Sequence, residues 1–261
     1  MKKQLLIFAM AVATIFSACK KNDKNELITP EEEETTSPGT SGVKLLTAVS
    51  SGNGERWEFK YDSKNRLSEL LHPLASDGKE RKEVYSYDEE GKLTGMDMYF
   101  AGAVSQKSVY TYSANTITLV LSYPGSTQSS STEVYTTNSK GQIVSAVAHG
   151  ANMTYTYNEN GSLKSEFRQI DGHPDFDLMT EFTYDNKKGS MINCTTPEWL
   201  FYYTHSVIFG KINNMLTLGP DFKFQYEYSE DGFPVKSTFT QTYGSNSMQT
   251  VYSYEYSTDK K

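Results

Sequence analysis

Phe59-Lys60-Tyr61-Asp62-Ser63-Lys64-Asn65-Arg66-Leu67 is one copy of a unit that recurs along this chain of 261 residues. Tyr85–Leu93 and Tyr155–Leu163 are further copies. The unit reads aromatic-x-Tyr-Asp-x-x-Gly-x-Leu, with Asn65 in the Gly slot of the first copy and Asn158 in the Asp slot of the last. Aromatic residues two apart lie on one face of a strand. The Asp or Asn that follows can bond the backbone two residues on, and the Gly accepts the left-handed conformation that closes a type I turn with a bulge. The unit therefore predicts the end of one strand, a tight turn and the start of the next.

Between the copies the pattern keeps period two. Phe222, Phe224, Tyr226 and Tyr228 alternate with Lys223, Gln225 and Glu227, and Tyr252, Tyr254 and Tyr256 alternate with Ser253 and Glu255. Such alternation describes half-buried strands. Asp88–Gly91, Asn138–Gly141, Asn158–Gly161 and Ser229–Gly232 share the turn design. Ser51–Gly54, Asp77-Gly78 and Pro124-Gly125 supply looser turns at the opposite strand ends. Marker tyrosines fall at Tyr61, Tyr87, Tyr112, Tyr157, Tyr184, Tyr228 and Tyr256, with Thr137 in one slot. Steps of about 20–28 residues make each unit one hairpin, and two strands per unit give roughly sixteen strands. The fold class is all-β: an antiparallel up-and-down meander that must curl into a curved sheet, half-barrel or barrel. Residues 195–220 break the repeat. They are read as an apolar insertion with a short helix, Thr196 capping it and Pro197 in its first turn, that plugs a barrel end or covers a sheet edge; the alternative is a ligand platform.

The ends divide the chain into three. Residues 1–18 read as a signal peptide, with Lys2 and Lys3, an apolar stretch from Leu5 to Phe16, and Ser17-Ala18 before Cys19. Cys19 is the expected lipidation site, which attaches the chain to the membrane through acyl groups. Residues 19–42 carry the run Glu31–Glu34 and then a Thr/Ser/Pro/Gly stretch, the composition of a disordered acidic linker. Residues 43–261 form one β domain. The formal charge of −7 becomes −9 once Lys2 and Lys3 leave with the signal. That argues against nucleic acid and against a substrate rich in negative charge.

The chemistry-bearing residues are sparse. Cys194 has no partner cysteine once Cys19 is acylated, and it reads as a small buried residue. His72, His149, His173 and His205 lie at no metal-type spacing. The cluster from Asp171 to Asp177 reads as a polar turn before a calcium loop. No metal, cofactor or catalytic constellation is expected. The 19 tyrosines and 2 tryptophans suit ligand binding, because Tyr stacks on sugar rings and hydrogen-bonds through its hydroxyl. Trp57, Trp199, Tyr202 and Tyr203, at the irregular places of the repeat, are the candidate ligand-binding residues.

The unit resembles the YD repeats of much larger bacterial shell proteins. The lipobox, acidic linker, degenerate Tyr-Asp hairpins and Gly210-Lys211-Ile212-Asn213-Asn214-Met215-Leu216 together resemble a Bacteroidetes lipoprotein family of unknown function with a porin-like β fold. The resemblance implies a curved antiparallel sheet and an outer-membrane location, in either leaflet; it brings no catalytic residues. The expected role is a non-catalytic envelope protein that binds a ligand, with a glycan as the class its rings suit. The rival roles are an assembly lipoprotein docking an outer-membrane protein and a barrel that carries an apolar small molecule.

Overall fold

The computed structural model describes residues 43–72, 78–148, 150–204 and 209–257. Residues 1–42, including Cys19, and residues 73–77, 149, 205–208 and 258–261 lie outside it. Sixteen antiparallel strands run β1 (Leu46–Ser51), β2 (Arg56–Tyr61), β3 (Leu67–Leu71), β4 (Arg81–Tyr87), β5 (Leu93–Phe100), β6 (Ala103–Ser113), β7 (Thr116–Ser122) and β8 (Ser131–Thr137). They continue as β9 (Ile143–Ala148), β10 (Ala151–Tyr157), β11 (Leu163–Gln169), β12 (Leu178–Tyr184), β13 (Met215–Leu218), β14 (Phe222–Tyr228), β15 (Pro234–Tyr243) and β16 (Asn246–Tyr256). Each strand pairs with its neighbours in sequence, and β16 returns to pair with β1, closing a barrel. Leu45 N donates to Ser257 Oγ at this seam, across 212 residues of chain.

The aromatic face of the alternation looks inward. Phe59, Tyr85, Tyr110, Tyr135, Tyr155, Phe182 and Tyr254 are all core residues. The outer wall from β14 through β16 to β6 carries ion pairs: Lys236–Glu227, Arg56–Glu255, Lys60–Glu69 and Lys107–Asp97. A lipid-facing band would be apolar there. The outer wall from β7 to β10 is instead Thr, Ser, Asn and Val, with Val120, Val134 and Val147 exposed.

The repeat turns all lie at one end. Asp62 Oδ1 accepts from Lys64 N and Arg66 N, both at 2.9 Å, and Asn138 Oδ1 accepts from Lys140 N and Gln142 N. Gly91 sits at φ +89°, where a side chain would be strained.

The second tyrosine of the unit acts between hairpins. Tyr87 Oη donates to Leu67 O at 2.8 Å and Tyr112 Oη to Leu93 O at 2.7 Å. Tyr61 does the same to Leu46 O, Tyr157 to Ile143 O and Tyr256 to Pro234 O. In each case the acceptor starts the preceding strand, where the two hairpins diverge; β3 and β4, for example, pair only from Glu69 to Leu71. The hydroxyl satisfies a carbonyl that the ladder has left, worth about 1 kcal/mol per bond.

The interruption sits inside one such turn. Asp185 N donates to Asn214 O, and Asp185 Oδ1 accepts from Asn214 N. Arg66 bears the same relation to Asp62 in the first unit. Asn186 to Asn213 are therefore an excursion from the turn between β12 and β13, and Met215 resumes the repeat where 195–220 had been read as insertion. Its neck is a short ladder, Gly189 N to Ile212 O and Met191 N to Gly210 O. A Cβ on Gly189 would lie 2.5 Å from Gly210 O, so the neck demands glycine. Beyond the neck, α1 (Glu198–Thr204) enters the barrel. Leu200 and Phe201 are buried there with Met191 and Cys194. Pro197, expected in the first turn, instead stands directly before the helix. The Thr196 hydroxyl goes to the wall: it accepts from Leu67 N at 2.7 Å and bonds Tyr87 Oη.

Candidate functional site: the aromatic end of the barrel

The excursion seals the turn end. Thr195 N donates to Asn65 O, Asn160 Nδ2 to Asn213 Oδ1, and Lys188 Nζ to Asp231 O. Asn193 Nδ2 reaches Lys44 O, where the chain enters the barrel. Inside this end Leu67, Leu93 and Ile143 are 0–1% exposed. Sixteen strands suffice for a water-filled channel in porins; here the plug and the inward rings fill that half.

The other end differs. Its described connections are hairpin turns, and one of them holds a single 3₁₀ turn at Pro174–Phe176; none holds an α-helix. Half-buried rings line the inner wall from β14 across β16 to β2. Trp57 and Tyr252 flank β1 on its inner face, with centroids 6.1 Å apart and planes at 60°. Phe222 and Phe239 stack at 5.9 Å and 6°, and Phe224 meets Phe239 at 4.9 Å. Gln241 stands opposite Phe222. Exposed apolar side chains crown this rim: Phe100, Phe176, Met179, Tyr243 and Met248.

The four candidates are not all brought together. Trp57 belongs to the aromatic wall. Trp199, 8% exposed and 5.6 Å from the Tyr110 ring, packs in the core and presents no free face. The side chains of Tyr202 and Tyr203 lie outside the described residues. Tyr252, Phe239 and Phe222 were passed over, because regular alternation marked them as sheet-covering residues.

Two carboxylates on the inner wall were also missed. Glu83, 1% exposed, accepts from Tyr85 Oη and meets His72 Nε2 at 2.9 Å. Glu133, 3% exposed, accepts from Tyr135 Oη. Burial, and then the neighbouring carboxylate, holds both phenols well above their ordinary range. Each acid sits in the same tripeptide, Glu-Val-Tyr, and that repeat was the available signal.

Other chemistry is confined. Cys194 is buried, as expected. Among the described residues no group of three His, Cys, Asp or Glu could hold a metal. In the acidic loop Asp171 Oδ1 accepts from Asn152 Nδ2 and Asp177 Oδ1 from Ile170 N, as in a polar turn. Tyr184 breaks the inter-hairpin pattern: its hydroxyl is buried without a partner among the described residues. It lines a cavity of about 20 Å³ with Ser162, Glu198 and Lys211. Burial pulls the Lys211 ammonium below its ordinary range.

The architecture has solved counterparts. The chain is similar to a porin-like protein from Bacteroides uniformis, with 14% identity over 85% of this chain and 100% of that one, and a TM-score of 0.51. A porin-like protein from Bacteroides vulgatus overlaps 82% of this chain and 99% of its own at 12% identity, with a TM-score of 0.39. The first likeness makes this a porin-like antiparallel barrel in fold. No protein-family model matches the chain, and no curated protein matches it.

Proposed function

We propose that this is a non-catalytic, lipid-anchored envelope protein that binds a ligand, a glycan by the chemistry of its rings, at the aromatic end of the barrel. One observation carries the reading: partly accessible rings of Trp57, Tyr252, Phe222 and Phe239 gather at one end while a plug seals the other. Aromatic faces stack on the weakly polar faces of sugars, and Gln241 adds an amide beside them. Attachment through Cys19 would hold the barrel at the outer membrane.

Native affinity gels of residues 43–261 against a polysaccharide panel test this. One glycan class should retard the protein, and Trp57→Ala or Tyr252→Ala should abolish the retardation. No retardation of a well-folded sample, or retardation untouched by both variants, sinks the proposal.

The exposed rim residues favour a second reading, docking to an outer-membrane protein, since clustered apolar side chains mark interaction surfaces. In-cell crosslinking from the rim would then give one stoichiometric partner. Carriage of an apolar molecule draws no support from an interior packed as tightly as that around Leu67 and Ile143.

A further inference from the structure

Arg168 is an inner-wall cation that packing leaves uncommitted among the described residues. It lies on β11 opposite Met153, a core residue, and so shares its inward face. It is half-buried, and among the described residues its guanidinium has no hydrogen-bond or ion-pair partner. Arg56, in contrast, is bidentate to Glu255, and Arg66 pairs with Asp62 at 2.6 Å. Glu166 is the acidic group on the same face of β11, opposite Tyr155. Burial pushes its carboxyl up, against the opposing pull of Arg168. A guanidinium offers five donors in a fork that fits a planar oxyanion.

The position also matters. Met153 lies four residues before its marker Tyr157, as Trp57 does before Tyr61 and Tyr252 before Tyr256. Arg168 therefore stands level with the aromatic wall. Three strand steps separate β11 from Phe222 on β14, about 14 Å at the usual strand spacing, which a short oligosaccharide spans. Net charge of −7 opposes a polyanion at long range, yet a single oxyanion meets this cation at short range. We propose, resting on the ligand reading above, that the ligand at the aromatic end is an acidic glycan whose oxyanion is received by Arg168 while Trp57, Tyr252 and Phe222 take its ring faces.

Calorimetric titration of residues 43–261 with three oligosaccharides of equal length tests this: a hexuronate, a sulfated hexose and the unmodified hexose. The wild type should bind one acidic form at least tenfold tighter than the neutral one, and which form wins separates carboxylate from sulfate. Arg168→Gln should erase that preference; Arg168→Lys, which keeps the charge without the fork, should retain part of it. Trp57→Ala, or Tyr252→Ala should the first not fold, should weaken all three. Absence of an acidic preference, or its survival in Arg168→Gln, overturns the role of Arg168 while the aromatic site stands. Binding that survives both aromatic variants overturns the site itself, and no binding of any oligosaccharide overturns both.

Discussion

The two ends of the barrel use the same residue type for opposite ends. At the sealed end the second tyrosine is locked in five of the units, its hydroxyl spent on a carbonyl at the start of the preceding strand, as with Tyr87 and Leu67. At the aromatic end Trp57 and Tyr252 pair, among the described residues, with each other's rings and stay partly accessible. The difference teaches that aromatic content alone does not mark a binding surface. Whether the polar atom of the ring is already committed separates a structural tyrosine from an available one.

That contrast can be broken most violently at the neck of the plug. Gly210→Ala would place a Cβ 2.3 Å from Asn213 O, between backbone atoms that cannot yield. We expect a loss of about 3 kcal/mol or more, read as a fall in denaturant midpoint, from a named backbone clash of the severe kind. At the opposite rim a Cβ on Gly102 would have nothing within 4 Å; Gly102→Ala carries the backbone strain of its φ of +79° without a clash, a smaller cost.

Alkaline titration comes next. Burial raises the phenols of Tyr61, Tyr85, Tyr87, Tyr110 and Tyr254, and pushes Tyr112 up to about 12. The unfolded chain loses these protons near pH 10 while the folded chain holds them. Stability is thus complete below pH 10 and falls above it, by about 1.4 kcal/mol per pH unit for each such tyrosine. A barrel that kept its denaturant midpoint unchanged from pH 9 to 11.5 would contradict the locked ladder.

Thr196→Val is smaller. It deprives the buried Leu67 N of its acceptor and Tyr87 of a partner, a cost of about 1–3 kcal/mol. Tyr112→Phe should cost about 1 kcal/mol by orphaning Leu93 O. Tyr252→Phe should change thermal stability by under about 0.5 kcal/mol. Equal losses for those two would erase the distinction between the ends. Last, Glu166→Gln should raise the melting temperature slightly at pH 7. Its carboxyl is raised by burial, so the folded state favours the protonated acid, and that advantage is lost as pH climbs through the raised value.

Much of this fold was legible because the hairpin is local. Alternation and Asx-Gly turns are read within nine residues, and they yielded the strand number and the meander. Closure was not fixed by the same signals, since the pairing of Leu46 with Tyr256 depends on how shear and twist accumulate around all the strands. The start of the excursion was misread for a related reason. Tyr184-Asp185 is a proper turn opening, but its closing residues stand 29 positions on, at Asn214. The site was less legible. Trp57 was visible as an irregularity, whereas Phe222, Phe239 and Tyr252 sit in faultless alternation. Only their height on the barrel separates them from core, and height emerges from register. Arg168 was hidden by the bulge between Thr156 and Tyr157, which shifts the phase of its strand relative to the turn.

The seam between β1 and β16 also sets the order of events in folding. Fifteen of the sixteen pairings are between neighbours in sequence; fourteen can form by zipping from short connections, and β12 with β13 forms across the excursion. The sixteenth joins groups 212 residues apart, and its loop-closure entropy is met only when the others are in place. Until then both edge strands offer unpaired backbone. The growing sheet is most prone to associate with another copy of itself in this interval, just before the barrel shuts.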